Sequence, residues 1–281
     1  MSALERLAFG WQCLLGALRA CGRRALWGPW AALFALQGFA VIAFVDASHP
    51  ALSAFMAPLL RRLAGDSALR YPELFRRLPV LVHQADLVFR ALAMPVAAGI
   101  ATRLFERHFR DAPLRPAAAW GEGAARTLSL VVAALPVTLV AFGLNAMLSH
   151  LSLVRLSSFS RSLAPHAAGG ALLFVRAAAA YATALVVLDR RSGPRAIAAL
   201  PGTWAEGFVP AAVPLLLLAP ATALAWALTN AAIVAVDRAA PEWVVLAVIG
   251  RSAVETFAMM LVTGAATMAW MGLFADREEA S

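Results

Sequence analysis

The run VVAALPVTLVAFGL, residues 131–144, decides the fold class. It is apolar on every side. A transmembrane barrel strand would alternate apolar with polar residues, one set facing lipid and the other the lumen. This run has no such period, so it reads as a helix inside a membrane. In hydrocarbon a helix satisfies every backbone N–H and C=O within its own segment.

Five further runs have the same character. The six cover about 29–46, 84–105, 126–148, 167–188, 209–236 and 244–273, and each approaches the roughly 20 residues needed to span the hydrocarbon core. The composition agrees. Of 281 residues, 62% are hydrophobic and 14% charged, against about 45–50% and about 25% in soluble domains. The expected fold is all-α: a polytopic membrane protein, one membrane domain over 1–281, with six transmembrane helices. That length leaves no room for a separate soluble catalytic domain. About 28 residues precede the first run, and "VDASHPA" after it is a poor cleavage site, so the first helix is expected to stay as an anchor.

The formal net charge is +8, and all 24 basic residues are arginine, as in a GC-rich bacterial genome. They cluster at helix ends, where anionic headgroups account for them. Without a solvated basic domain or a stacking platform, nucleic acid is excluded as a partner. Orientation follows from the distribution of arginines. One side carries Arg6, Arg19, Arg23 and Arg24, then Arg103, Arg107, Arg110, Arg115 and Arg126, then Arg190, Arg191, Arg195 and Arg277. The other carries Arg61, Arg62, Arg70, Arg76 and Arg77, then Arg155, Arg161 and Arg238. The excess on the first side places both termini in the cytoplasm of a bacterial inner membrane. The long first connection, 47–83, holds two amphipathic stretches, SAFMAPLLRRLAG and YPELFRRLPVLVHQ. Both are expected as short helices on the outer surface.

An internal repeat is visible. AAAWGEGAARTLSLVVAALP (117–136) and ALPGTWAEGFVPAAVPLLLLAP (199–220) share Trp-x-Glu-Gly before a proline-containing apolar helix. The N-terminal FGWQCLLGALRACGRRALWGPWAALFAL (9–36) is a looser version. The even-numbered runs also correspond, in FRALAMPVAAG (89–99), VRAAAAYATAL (175–185) and GRSAVETFAMM (250–260), with Arg90, Arg176 and Arg251 at matching places. The unit is interfacial helix, outward helix, outer loop, inward helix. It gives three hairpin repeats over 1–110, 111–192 and 193–281. Repeat interfaces in membrane proteins often hold the binding site.

On these motifs, Trp-x-Glu-Gly and the proline-containing apolar helices, the chain resembles uncharacterised bacterial six-helix membrane protein families. They include the membrane domain sometimes fused to glycerophosphodiester phosphodiesterases. The likeness covers the membrane part alone. It implies a six-helix fold, no phosphodiesterase activity and no residue roles.

The candidate ligand-binding residues are Arg90, Arg176, Arg251 and Glu255. At 1.5 Å per residue the three arginines lie about 10–15 Å below the outer surface. An arginine at mid-bilayer costs roughly 2.5–3.5 kcal/mol on insertion scales. Three compensations are open: an anionic lipid or solute in an outward-facing cavity, a protein carboxylate, or snorkelling of the side chain to the headgroups. Glu255 follows Arg251 by four residues and Asp86 precedes Arg90 by four, so both can pair along a helix face. Arg176 has no acid within a turn, and Asn145 or Asn230 is a candidate partner. Glu255 is also a proton-relay candidate as an intramembrane acid. Glu122 and Glu206 are placed to cap helix starts or pair with arginines. Trp11, Trp27, Trp30, Trp120, Trp204 and Trp270 read as an inner aromatic belt and Trp243 as the outer one.

No catalytic or metal site is expected. The five histidines show no HxxxH or HExxH spacing. There is no GxSxG, no phosphate-binding glycine loop and no acidic cluster. Cys13 and Cys21 lie eight apart on one helix and read as apolar packing residues. No cofactor is implied. Three function classes follow. The favoured one is a transport-related protein, or one binding an anionic lipid or solute, with membrane lipids and a cytoplasmic ATPase as partners. The second is a scaffold or assembly subunit meeting other membrane proteins. The third is an intramembrane enzyme acting on lipid.

Overall fold

The computed structural model describes residues 1–47, 49–66, 70, 73–153, 158–234 and 242–275. Its elements are α1 (Ala3–Ala20), a 3₁₀ turn (Arg24–Trp27), α2 (Gly28–Val45), α3 (Pro50–Ala64), α4 (Glu73–Phe109) and α5 (Pro116–Ala125). There follow α6 (Thr127–Leu153), α7 (Ser158–Ala178), α8 (Ala182–Val187), α9 (Gly193–Val234) and α10 (Trp243–Trp270), which ends in a π turn, Met271–Ala275. No strand occurs among the described residues. Six stretches are long and apolar enough to cross a bilayer: Arg24–Val45, Glu73–Phe109, Thr127–Met147, His166–Val187, Gly193–Val234 and Trp243–Phe274. They coincide with the six runs read from the sequence. Of the arginines used for orientation, Arg155, Arg238 and Arg277 lie outside the described residues.

Local chemistry sets several boundaries. Ser2 and Glu5 cap α1 reciprocally, each side chain meeting the other's backbone N–H. At the start of α3, His49 Nδ1 accepts from Ala51 N–H and Pro50 takes the first helical position. Gly65, at φ 78°, ends that helix where a side chain would be strained. So the first amphipathic stretch of the long connection is a helix of its own, as expected. The second is not separate: residues 73–83 are the opening turns of α4. Likewise the segment carrying Trp204 runs unbroken into α9. Pro79, Pro201 and Pro210 lie within these helices without ending them. A proline forfeits one backbone bond, and the helix persists where neighbours support it.

The break comes elsewhere, at 179–181, with neither proline nor glycine there. It is held by α9. The Trp204 indole N–H donates to the Ala178 carbonyl at 3.0 Å, and the Tyr181 hydroxyl donates to the Gly207 carbonyl at 2.8 Å. The first bond satisfies a carbonyl that the end of α7 leaves open.

By contact density the chain divides into two compact units. The first comprises Met1–Pro29, Arg90–Leu217 and Met260–Ser281. Within it, three amphipathic segments pack in one pattern. α1 lies against α10, where a Cβ on Gly264 would stand 2.9 Å from Ala17 Cβ, and against α9, where Gly10 approaches Pro210 equally closely. α5 lies on α4 through Gly123 and Ile100, with the Trp120 indole beside Gly28 at the start of α2. The opening of α9 lies on Tyr181 through Gly207 and on α6 through Gly193, which abuts the Ser129 carbonyl. α6 also runs beside α7 and α8, and Arg126 at its start donates to the Val186 carbonyl. The same unit holds an ion-pair network. Glu122 meets Arg103 at 2.9 Å and Arg107 at 4.0 Å, and buried Glu106 meets Arg103 at 2.8 Å and Arg110 at 3.4 Å. Glu122 thus pairs with arginines, as the sequence suggests.

The second unit comprises Trp30–Phe89 and Leu218–Met259. An apolar cluster fills one end of it: Val41 and Phe44 from α2, Met56 and Leu60 from α3, Leu78, Leu81 and Val82 from α4, Val244 and Val248 from α10. α3 is therefore a packed element with its apolar face inserted, not a loop.

Two outcomes test this packing. Gly207→Leu forces a side chain into the Tyr181 ring, whereas Gly143 faces open space. The first change should lower unfolding free energy in detergent by about 1–3 kcal/mol. Gly143→Leu should leave the melting midpoint unchanged. The Cys13 thiol is fully enclosed and burial pushes its pKa up to about 12. Cys21 is half-buried, its thiol raised less by the same cause and lowered in part by a backbone hydrogen bond. At pH 8 a maleimide should label Cys21 in the native protein and reach Cys13 only on unfolding; mass spectrometry of labelled single-cysteine variants reads this directly.

Candidate functional site

The second unit contains a layer of polar side chains one turn from its apolar cluster. Position along the helices fixes this. Gln37 lies four residues, one turn, before Val41 on α2. Asp86 lies one turn after Val82 on α4, and Arg251 one turn after Val248 on α10. Each pair shares a helix face. On all three helices, then, the apolar residue lies on the α3 side of its polar neighbour.

Arg251 is the extreme case, with 2% of its surface exposed, two turns inside the span Trp243–Phe274. Its guanidinium carbon stands 4.1 Å from the centroid of the Trp226 ring, contributed by α9. His83 of α4 meets the same ring at 5.4 Å, edge to face. Glu255, one turn along α10, places Oε1 3.8 Å from Arg251 Nε. That is ion-pair range but longer than a hydrogen bond. A desolvated cation on an indole face is stabilised by about 2 kcal/mol, comparable with the roughly 2.5–3.5 kcal/mol cost of placing arginine at mid-bilayer. Stacking and the Glu255 carboxylate together make burial sustainable.

Thr256, next to Glu255, joins this pair to a second group. Its hydroxyl donates to Gln37 Oε1 at 3.2 Å, and Gln37 Nε2 donates to Asp86 Oδ1 at 2.7 Å. All three residues are buried. The two bonds fix which way the Gln37 amide faces. They also tie α10 to α2 and α2 to α4. Thr229 adds a link from α9, its hydroxyl reaching the Ala247 carbonyl at 3.4 Å. Four of the six spans thus meet in one polar layer.

Among the residues singled out from sequence, Arg251 and Glu255 come together here. Asp86 also belongs to the layer, with Gln37 as a hydrogen-bond partner. Arg90 and Arg176 are half-buried and belong to the first unit, Arg90 one turn beyond Asp86 on α4 and Arg176 in the last turn of α7. Asn230 is exposed on α9. The site residues that sequence reading passed over are Gln37, Trp226, His83 and Thr256. Two had a signal. Gln37 is the lone amide in the first apolar run, and Trp226 lies too deep in its run for an interfacial belt. Groups of His, Cys, Asp and Glu suited to a metal do not occur among the described residues.

The fold and this layer define a multi-pass α-helical membrane protein with a buried ionic centre. Comparison with protein families, with curated proteins and with solved structures finds no match for the chain.

The layer makes an ordered prediction for stability. Gln37→Leu removes the amide that serves Asp86 and Thr256 at once and should cost about 1–3 kcal/mol. Thr256→Val removes one neutral hydrogen bond and should cost about 0.5–1.5 kcal/mol. Denaturant unfolding in mixed micelles gives both values, and equal costs would contradict the central place of Gln37.

Proposed function

We infer that this chain is a transport-related protein of a bacterial inner membrane that binds an anionic lipid or solute inside the bilayer, with both termini in the cytoplasm. Arg251 and Glu255 form its binding centre. The observation that carries the reading is the depth of Arg251. A guanidinium exposed by 2% on a spanning helix, stacked on an aromatic ring beside one carboxylate, is a costly arrangement for a purely structural role. Intramembrane charges of this kind mark ligand or ion pathways.

The reading includes three hairpin repeats over 1–110, 111–192 and 193–281. Support comes from the packing inside the first unit. α1, α5 and the opening of α9 each lie on one even-numbered span and against the start of an odd-numbered one. α5 takes the second and first spans, α9 the fourth and third, and α1 the sixth and fifth, so the pattern closes on itself. Arg90, Arg176 and Arg251 hold matching places in these repeats. Arg90 and Arg176 belong to the ligand-binding set on that ground alone, and lipids are the principal partners. The half-exposed Trp11, Trp120 and Trp204 mark the three amphipathic segments as docking positions for a cytoplasmic ATPase or a second subunit.

A second reading, a scaffold or assembly subunit, draws on α6. Only 11% of the most apolar window of Thr127–Met147 is buried, against 28% or more in the other five spans. Leu128, Leu139 and Phe142 stand exposed along it.

Native mass spectrometry of protein extracted with its membrane lipids tests the first reading. Wild type should retain an anionic adduct. Arg251→Gln should lose it, and Arg251→Lys should retain less of it. Equal adducts in all three would remove Arg251 from any ligand role.

A further inference from the structure

We propose that the interruption of the fourth span at 179–181 is a switch. The Ala178 carbonyl exchanges its partner between the Trp204 indole and the Ala182 amide, so the opening of α9 sets whether α7 and α8 are two helices or one. The proposal concerns the chain's own bonds and stands whether or not Arg176 meets a ligand.

The local sequence does not ask for a break. Alanine is the best helix former, and residues 179–181 read Ala-Ala-Tyr. The other even-numbered spans make the same point. Counted from Arg90 and Arg251, the matching places are Ala93, Met94 and Pro95 in α4 and Val254, Glu255 and Thr256 in α10. Both helices run through them unbroken, one of them through a proline. The fourth span stops where its residues favour continuation, so a group outside the segment holds it open.

The backbone bonds identify that group. On either side of the break the pattern is regular: Ala179 N–H donates to the Val175 carbonyl and Leu185 N–H to the Tyr181 carbonyl, each four residues back. Between them Ala180 N–H donates only three residues back, to Ala177 at 3.3 Å, and Ala182 N–H three back, to Ala179 at 3.0 Å. In a continuous helix Ala182 N–H reaches Ala178 instead. Here the Trp204 indole N–H holds that carbonyl, at 3.0 Å. One donor replaces the other, so neither state leaves the Ala178 carbonyl bare in hydrocarbon. The path between the states is short. Tyr181 has φ −90° and ψ 0°, a modest rotation from the helical values of about −63° and −42°. A 3₁₀ stretch inside a helix is the usual mark of such a hinge.

The two sides of the break differ in what holds them. In α8 every residue but Thr183 is buried, and Arg126 donates to the Val186 carbonyl. Tyr181 beside it is packed against Trp270 and Phe274, each ring centroid at 5.7 Å, and its hydroxyl is held by the Gly207 carbonyl. Among the described side chains of α7 only Ala168 and Ala177 are buried. So α8 is the fixed end and α7 the moving one. Trp204, 47% exposed, is the clasp that can be reached from outside. When the indole leaves Ala178, α7 turns to continue α8 and carries Arg176, two residues before the exchanged carbonyl. The device couples the exposed face of the α9 opening to the position of Arg176.

Double electron–electron resonance on the whole chain in phosphatidylcholine nanodiscs reads the switch. Cys13 and Cys21 are replaced by alanine, and spin labels are attached to cysteines introduced at Ala167 on α7 and Gly202 on α9, both exposed. This parent should give one dominant distance. Trp204→Phe keeps a ring and loses the donor, and a second, discrete distance should appear and become the major one. Adding Ala180→Gly disfavours the continuous helix and should return most of the population to the first distance. Tyr181→Phe removes the second bond to α9 and should shift the populations as Trp204→Phe does; it carries the test should Trp204→Phe fail to fold. One unchanged distance in both variants would overturn the switch. A broadened distribution that Ala180→Gly does not restore would overturn it too, because loosened packing alone produces that result.

Discussion

The polar layer of the second unit is arranged around the desolvation of one guanidinium, that of Arg251. Arginine does not shed its charge under any condition a membrane imposes. The protein must therefore surround it, since it cannot neutralise it. Trp226 covers a face, Glu255 supplies opposite charge, and the rest of the layer keeps α10 in register. This explains why hydrogen-bonding side chains gather at one depth in a set of otherwise apolar helices. Gln37 would be an expense in an isolated first span. Between Asp86 and Thr256 both ends of its amide are used, and the bonds link three helices.

The position of the layer matters as much as its content. On α2, α4 and α10 alike the neighbouring turn towards α3 is valine, and the cluster beyond is wholly apolar. Hydrocarbon side chains exclude water, and a low local dielectric strengthens each interaction beneath them. The amphipathic α3 is what completes that exclusion. Its apolar face inserts Met56 and Leu60 and its C-terminal turn carries Arg61 and Arg62, both exposed. The helix thus covers the cluster, and its ends are set by His49 with Pro50 and by Gly65.

Much of this was legible in the residues. All-round apolarity over 131–144 fixes helices rather than strands, and the six runs recur as spans, four of them within a few residues and two, Glu73–Phe109 and Gly193–Val234, with longer N-terminal ends. The i, i+4 spacing of Arg251 and Glu255 made their pairing readable, as it did the placement of Glu122 among arginines. What escaped is tertiary. YPELFRRLPVLVHQ is as amphipathic as α3, yet one became a separate helix and the other the start of α4. Gly65 marks the end of α3 locally, but Pro79 looks like a boundary and acts as none. The break at 179–181 is the converse. Alanines and a tyrosine favour continuation, and only the Trp204 and Tyr181 bonds to and from α9 make an interruption tolerable. Trp226 was hidden by frequency: tryptophans in membrane proteins gather at interfaces, and eight of them invite one explanation.

Those two bonds also bear on why Trp-x-Glu-Gly recurs. In the segment 199–220 the tryptophan and the glycine act on the same place. Trp204 satisfies the carbonyl that ends α7, and Gly207 offers both the space and the carbonyl that Tyr181 needs. In the segment 117–136 Gly123 again removes a Cβ that would strike the neighbouring span, at Ile100, and Glu122 between tryptophan and glycine is held by Arg103 and Arg107 of that span. The motif is therefore a docking device that sets a ring, a charge and a gap within one turn of helix. α1 lacks the Glu-Gly pair, yet it docks on α10 through small residues of both helices, Ala17 against Gly264. A looser sequence suffices there because glycines on both helices leave the gap, Gly16 facing Met268 and Gly264 facing Ala17.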